Sequence, residues 1–113
     1  SADDFIVSDK LISLLMSQVS ENKDLMRVFE DLFDADGSEI YIKPAKEYVQ
    51  TGISMNFYTI LESAARKNEV AIGYRIVADS KKADKDYGVT VNPKKSELVT
   101  LGPQDRIIVL SED

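Results

Sequence analysis

The amino-acid sequence predicts an α+β fold, with an N-terminal helical hairpin over residues 1–37 followed by a small β-α-β-β-β lobe over 38–113. Three observations carry this reading. Residues 9–35 repeat apolar side chains at three- and four-residue spacing, the period of an amphipathic helix. The stretch V-A-I-G-Y-R-I-V at 70–77 follows a helical pattern and alternates as a strand does. Near the C-terminus, Arg106-Ile107-Ile108-Val109-Leu110 is a continuous apolar run, as expected of a strand covered on both faces.

Taken in order, Ser8 is placed to cap a helix whose stripe is Leu11, Ile12, Leu15, Met16 and Val19, widened by Leu14. Ser20-Glu21-Asn22 interrupts the stripe. A second begins with Leu25, Val28, Phe29, Leu32 and Phe33, and Gly37 supplies a natural stop. Burying each Leu, Ile or Phe is worth roughly 1.5 to 3 kcal/mol, so these helices need more apolar partners than a hairpin alone provides. Two readings stay open: the hairpin covers the chain's own sheet, or it docks on a surface outside its lobe. On the second, Leu11, Leu15, Leu25, Phe29, Leu32 and Phe33 are the interface candidates.

Glu39 to Lys43 reads as a strand with Ile40 and Ile42 inward and Pro44 as its stop, and Tyr48-Val49 as a further short piece. Ser54 or Asn56 caps a helix carrying Phe57, Ile60, Leu61, Ala64 and Ala65 on one side, with Arg66-Lys67 in its last turn. In the strand that follows, Val70, Ile72, Tyr74 and Ile76 are expected to face the core. Ala71, Gly73, Arg75 and Val77 take the other face, which at Gly73 admits the close approach of another backbone or a ligand. The run 78–88 is polar and reads as a solvated loop. Val89 and Val91 form a brief strand ended by the Asn92-Pro93 turn, and 98–101 is an edge segment before the Gly102-Pro103 turn.

Composition narrows the function classes. With 113 residues, 43% hydrophobic and 30% charged, the chain has room for one small domain. Its net charge of −6 and lack of a basic patch leave no source of phosphate neutralisation, so nucleic acid is not an expected partner. No apolar run approaches the roughly 18 residues needed to span a bilayer, so membrane association is expected only through a parent protein. Asp3-Asp4-Phe5 reads as the interior of such a longer chain. The sequence has no histidine and no cysteine, which removes the commonest general base and thiol chemistry, and no enzyme is expected.

Asp34, Asp36 and Glu39 around Gly37 suggest a calcium loop, but an EF-hand register would place Leu32 first and Lys43 twelfth, where oxygen ligands are required. They stand as weak metal candidates. Arg75, beside Gly73 and Tyr74, has the guanidinium fork that grips phosphate or carboxylate, and Tyr87-Gly88, Asn92 and Pro93 lie in turns placed to rim the same pocket. The alternative is a strand-edge Arg75 paired with a neighbouring carboxylate, with these residues serving only their turns.

The phrases E-I-Y-I-K-P-A, N-F-Y-T-I-L-E-S-A-A-R-K-N-E-V-A-I-G-Y-R, Y-G-V-T-V-N-P and L-G-P-Q-D-R-I-I-V-L-S resemble the C-terminal subdomain of regulator-of-potassium-conductance (RCK, TrkA-C-like) domains. The opening D-F-I-V-S-D-K-L-I-S-L-L-M-S-Q-V-S-E-N, with F-E-D-L-F-D-A-D-G-S-E-I-Y, is similar to the CASTOR/POLLUX type of ion-channel regulatory domain and its bacterial relatives. The resemblance implies a cytoplasmic domain of a channel or transporter in the cell membrane. It implies a hairpin connector that joins a Rossmann-like lobe, absent from this chain, to the C-terminal lobe and that helps to form a homodimer. It also implies a cleft between paired lobes, with Arg75, Asn92, Pro93 and Tyr74 as candidates, that takes a regulatory cation or a cyclic dinucleotide. No cofactor such as NAD is expected in the fragment itself. The alternative is a ligand-binding or dimerisation module of a soluble regulator or an antiporter accessory protein.

Overall fold

The computed structural model describes residues 5–6, 13, 16–17, 21, 23–24, 27 and 39–112. Their elements, in chain order, are β1 (Phe5–Ile6), β2 (Glu39–Pro44), β3 (Ser54–Asn56), helix α1 (Phe57–Ala65), β4 (Val70–Arg75), β5 (Val89–Val91), β6 (Leu98–Thr100) and β7 (Arg106–Ser111). Five strands form an antiparallel sheet in the order β1-β2-β7-β4-β5, and β3 pairs with β6 in a separate two-stranded ribbon. The class is α+β, as expected. Upstream of β2, Ser13, Met16, Ser17, Lys23, Asp24 and Arg27 are helical and Glu21 lies in a turn. The interface candidates Leu11, Leu15, Leu25, Phe29, Leu32 and Phe33 lie outside the described residues, as do Asp34 and Asp36.

The central strand is β7, and its sequence explains why. Ile107, Ile108 and Val109 are completely buried, so no side of the strand is left to solvent. Register with β2 sets the two faces. Tyr41 opposite Val109 and Lys43 opposite Ile107 lie on one face, and Ile40 opposite Leu110 and Ile42 opposite Ile108 on the other. The first face packs against α1, where Phe57, Ile60 and Ala64 meet Ala71, Tyr74, Ile107 and Val109, closed by Ala45, Tyr48 and Leu101. On the second face, Ile40, Ile42, Ile108 and Leu110 are buried as well.

Helix α1 begins where its cap dictates. Asn56 is extended, and its Oδ1 accepts from the Thr59 amide at 3.2 Å, satisfying one of the otherwise orphaned first-turn donors. Its stripe of Phe57, Ile60 and Ala64 is the expected one, but Ala65 is exposed. Arg66 caps the C-terminus and Lys67 lies beyond the last turn, while Asn68, at φ +59°, turns the chain into β4.

Three expectations need correction. The strand expected over 70–77 ends at Arg75, and Val77–Asp79 is a 3-10 turn. Its simple alternation also fails, because a register shift against β7 falls between Ala71 and Gly73, so two residues oppose one position there. The bulge resets the parity: Ala71 joins Tyr74 in the α1 core, and Val70 is exposed. Finally, Tyr48 caps a 3-10 turn over Ala45–Glu47 instead of extending a strand, and the segment that pairs with β6 is β3, read from sequence only as a helix start.

Candidate functional site

The cleft candidates Tyr74, Arg75, Asn92 and Pro93 lie on β4 and just after β5, the two strands that the 77–88 loop joins. Gly73 pairs with Val91 across this edge, and a Cβ on Gly73 would stand 2.0 Å from the Thr90 carbonyl oxygen. The close approach expected at Gly73 is thus that of the β5 backbone. Arg75, at the end of β4, pairs with Val89 on one side and with Arg106 of β7 on the other. Two arginines face each other across the ladder, an arrangement that is unfavourable unless anionic or dipolar groups lie close by. Arg75 meets that need with carbonyl oxygens: its Nε donates to Tyr87 O at 3.0 Å and its Nη2 to Ser80 O at 3.4 Å.

The backbone these carbonyls belong to is unusual. Asp86, Tyr87 and Gly88 follow one another at φ +52°, +55° and +81°. Gly88 is obligatory, since a Cβ there would sit 2.2 Å from the Ile76 carbonyl oxygen. The loop is pinned at its base by Ile76 N donating to Gly88 O at 2.8 Å, and at its start by the Val77 amide donating to Asp105 Oδ1 at 2.9 Å.

At the far end of β5, Asn92 adopts φ +47° and its amide donates to Ile72 O at 2.8 Å, while its Oδ1 accepts from Lys95 Nζ at 2.9 Å. Pro93 is buried beside it. Because β5 spans the gap, Arg75 and Asn92 are separated by roughly 10 Å, three strand residues. Arg75 lies on β4, inside the sheet, and Asn92 follows the edge strand β5. Tyr74 turns the other way, into the α1 core, with its ring 6.4 Å from that of Phe57. Glu39 is exposed and accepts from Tyr41 OH at 2.8 Å. Among the described residues no three His, Cys, Asp or Glu side chains group as metal ligands.

No protein-family model matches the chain. Curated relatives do. The chain is 32% identical to the probable ion channel POLLUX of rice over 110 residues, which is 96% of the chain and 11% of that protein. It is 30% identical to the ion channel CASTOR of Lotus japonicus over 109 residues, 96% of the chain and 12% of that protein. To the ion channel DMI1 of Medicago truncatula it is 31% identical over 107 residues, 95% of the chain and 11% of that protein. The chain is a homologue of one segment of the CASTOR/POLLUX ion channels. It spans about one ninth of the length of these relatives.

Two polar clusters of this chain escape a sequence reading. Glu69, just before β4, is 7% exposed, and its carboxylate accepts from Lys43 Nζ and from Tyr48 OH, each at 2.5 Å. Lys67 Nζ then covers the Tyr48 ring, 4.4 Å from its centroid. The signal for Lys43 was concealed because Ile40 and Ile42 take the inward parity in a one-sided strand, whereas β2 is buried on both faces. The second cluster centres on Asp105, whose Oδ2 accepts from the Gly102 amide at 2.7 Å and whose carbonyl oxygen accepts from Ala45 N at 2.9 Å. Its place in the phrase G-P-Q-D-R was visible in the sequence; its bonds to the start of the 77–88 loop were not.

Proposed function

We propose that this chain is a cytosolic gating-control segment of a cation channel, potassium being the favoured ion. It works by subunit pairing and by effector binding along the β4–β5 edge. The observation that carries the reading is the match of 95–96% of the chain to proteins named as ion channels, of which it forms only 11–12%. No helix among the described residues is long and apolar enough to cross a membrane, which fits a segment that biases a gate and does not form one.

Gating by such a segment is a population shift: an effector that binds one arrangement of the subunits more tightly moves the equilibrium by that difference and no more. The partners are a second copy of the chain, paired through Leu11, Leu15, Leu25, Phe29, Leu32 and Phe33, and the remainder of the channel, including a Rossmann-like lobe. The effector cleft takes a cation or a cyclic dinucleotide at Arg75, Asn92 and Pro93.

Two measurements test this. Light scattering across a hundredfold concentration range should give a mass rising from one chain to two, and a constant single-chain mass would remove the pairing. A thermal-shift screen with calcium, potassium, sodium and cyclic dinucleotides should raise the melting temperature for one ligand, because a ligand selective for the folded state stabilises it by mass action. Absence of any shift at millimolar ligand would remove the effector cleft.

A further inference from the structure

Resting on the reading of Arg75 as part of an effector cleft, we infer that the 77–88 loop is a self-inhibitory strap. It occupies the edge of the Arg75 guanidinium that a phosphate-bearing anion needs. The anion binds there only as the strap lets go.

The two bonds Arg75 makes come from Nε and Nη2. These are the two donors of one guanidinium edge, the side-on fork onto which an oxyanion docks with two parallel hydrogen bonds. Tyr87 O and Ser80 O stand where those oxygens would be. Both are neutral acceptors, and the second bond is long at 3.4 Å, so a charged oxyanion makes the stronger pair with the same donors. No carboxylate within ion-pairing distance of Arg75 occurs among the described residues.

The strap is also built to be released. To bring Tyr87 O onto Arg75 the chain places Asp86 and Tyr87, both with side chains, in the left-handed region immediately before Gly88. Such residues persist only where surrounding contacts hold them, and Arg75 Nε on Tyr87 O is one of these, beside the Tyr87 amide on Lys82 O and the Val89 amide on Asp86 O. Release need not disturb the sheet, since Asp105 holds the strap's first amide and Gly88 O remains on Ile76 N. A strap that must open before the anion binds lowers the apparent affinity by the fraction of open chains. Anything that tightens the strap then weakens the anion.

The test is a titration of the isotope-labelled 113-residue chain with inorganic phosphate at constant ionic strength. It reads the Arg75 Nε–H resonance and the hydrogen exchange of the Tyr87 amide, which donates to Lys82 O at 3.0 Å inside the strap. Asp86→Gly and Asp86→Ala are compared because they carry the same charge at an exposed position and differ in the ease of reaching φ +52°. The expected result is a phosphate-dependent shift at Arg75, Tyr87 amide exchange at least about tenfold faster at saturation, and about fivefold weaker binding in Asp86→Gly than in Asp86→Ala. If Arg75 shifts while Tyr87 exchange stays unchanged, or the two variants bind alike, the strap is no competitor and the effector cleft stands without it. If Arg75 shifts in neither the natural chain nor Asp86→Ala, the anion site falls and the strap proposal falls with it.

Discussion

The Asp105 carboxylate accepts the backbone amide of Val77, 28 residues earlier, at 2.9 Å while its other oxygen accepts Gly102 N at 2.7 Å. One side chain therefore fixes both the start of the 77–88 loop and the turn that launches β7. Hydrogen bonds to a charged acceptor contribute about 1.5–3 kcal/mol each, and a half-buried amide left without a partner costs more than one that returns to water. Asp105→Ala is expected to lose about 2–4 kcal/mol in urea unfolding, and Asp105→Asn, which keeps one acceptor oxygen, about half of that. Equal losses in the two variants would mean that only packing at the site matters.

Gly73 lies in β4 with Thr90 O 2.0 Å from where a Cβ would be, and the obstacle is backbone rather than a side chain that can swing away. Gly73→Ala must push β5 outward. Overpacking of this kind costs about 1–3 kcal/mol, and the change should appear first in the backbone bonds of β5. Amide exchange at β5 should accelerate more than at β7 in the variant. Uniform acceleration across the sheet would show that the edge and the centre open together.

Asn56 offers a smaller and cleaner test of α1. Its side chain accepts from Thr59 N and Thr59 Oγ1 at 3.2 Å, and it is also the last residue of β3, opposite Leu98. Asn56→Ala should cost about 1 kcal/mol in urea unfolding and Asn56→Asp a few tenths at most. A loss as large in Asn56→Asp as in Asn56→Ala would mean that the β3–β6 ribbon, not the cap, depends on this residue.

The elements that local chemistry decides were legible in the sequence. The α1 stripe, its Asn56 cap, the doubly covered β7 and the turn at Asn92 follow from spacing and from what each residue tolerates. What escaped depends on partners distant in sequence. The bulge at Ala71–Gly73 is a relation between β4 and β7, so the strand alone reads as regular. Tyr74 beyond it takes the expected core face, whereas before it Ala71 faces the α1 core and Val70 is exposed, the reverse of the expected parity. Asp86 and Tyr87 carry no glycine signal for their left-handed backbone, whose carbonyls and amides are bonded to Arg75, Lys82 and Val89, partners that spacing alone does not show. For the candidate site, Arg75 and Asn92 were found as residues, but which groups surround them was set by the fold.

Lys43 and Glu69 stand 26 residues apart and form an ion pair with side chains 9% and 6% exposed, which makes them the sharpest energetic test of the core. Removing one partner of a buried pair leaves an uncompensated charge and costs about 3–5 kcal/mol, whereas replacing both with apolar groups is often nearly neutral. Lys43→Met and Glu69→Leu are each expected to fall in that range by urea unfolding, with the double variant recovering a substantial part of the summed loss. Recovery is expected to be incomplete, because Tyr48 OH also donates to Glu69 and would lose its acceptor. Adding Tyr48→Phe to the double variant should therefore return a further 1 kcal/mol or about that, while Tyr48→Phe alone should be destabilising by a similar amount. Additive single losses, with no coupling between Lys43 and Glu69, would show that each charge is stabilised by other groups and that the pair is not an energetic unit.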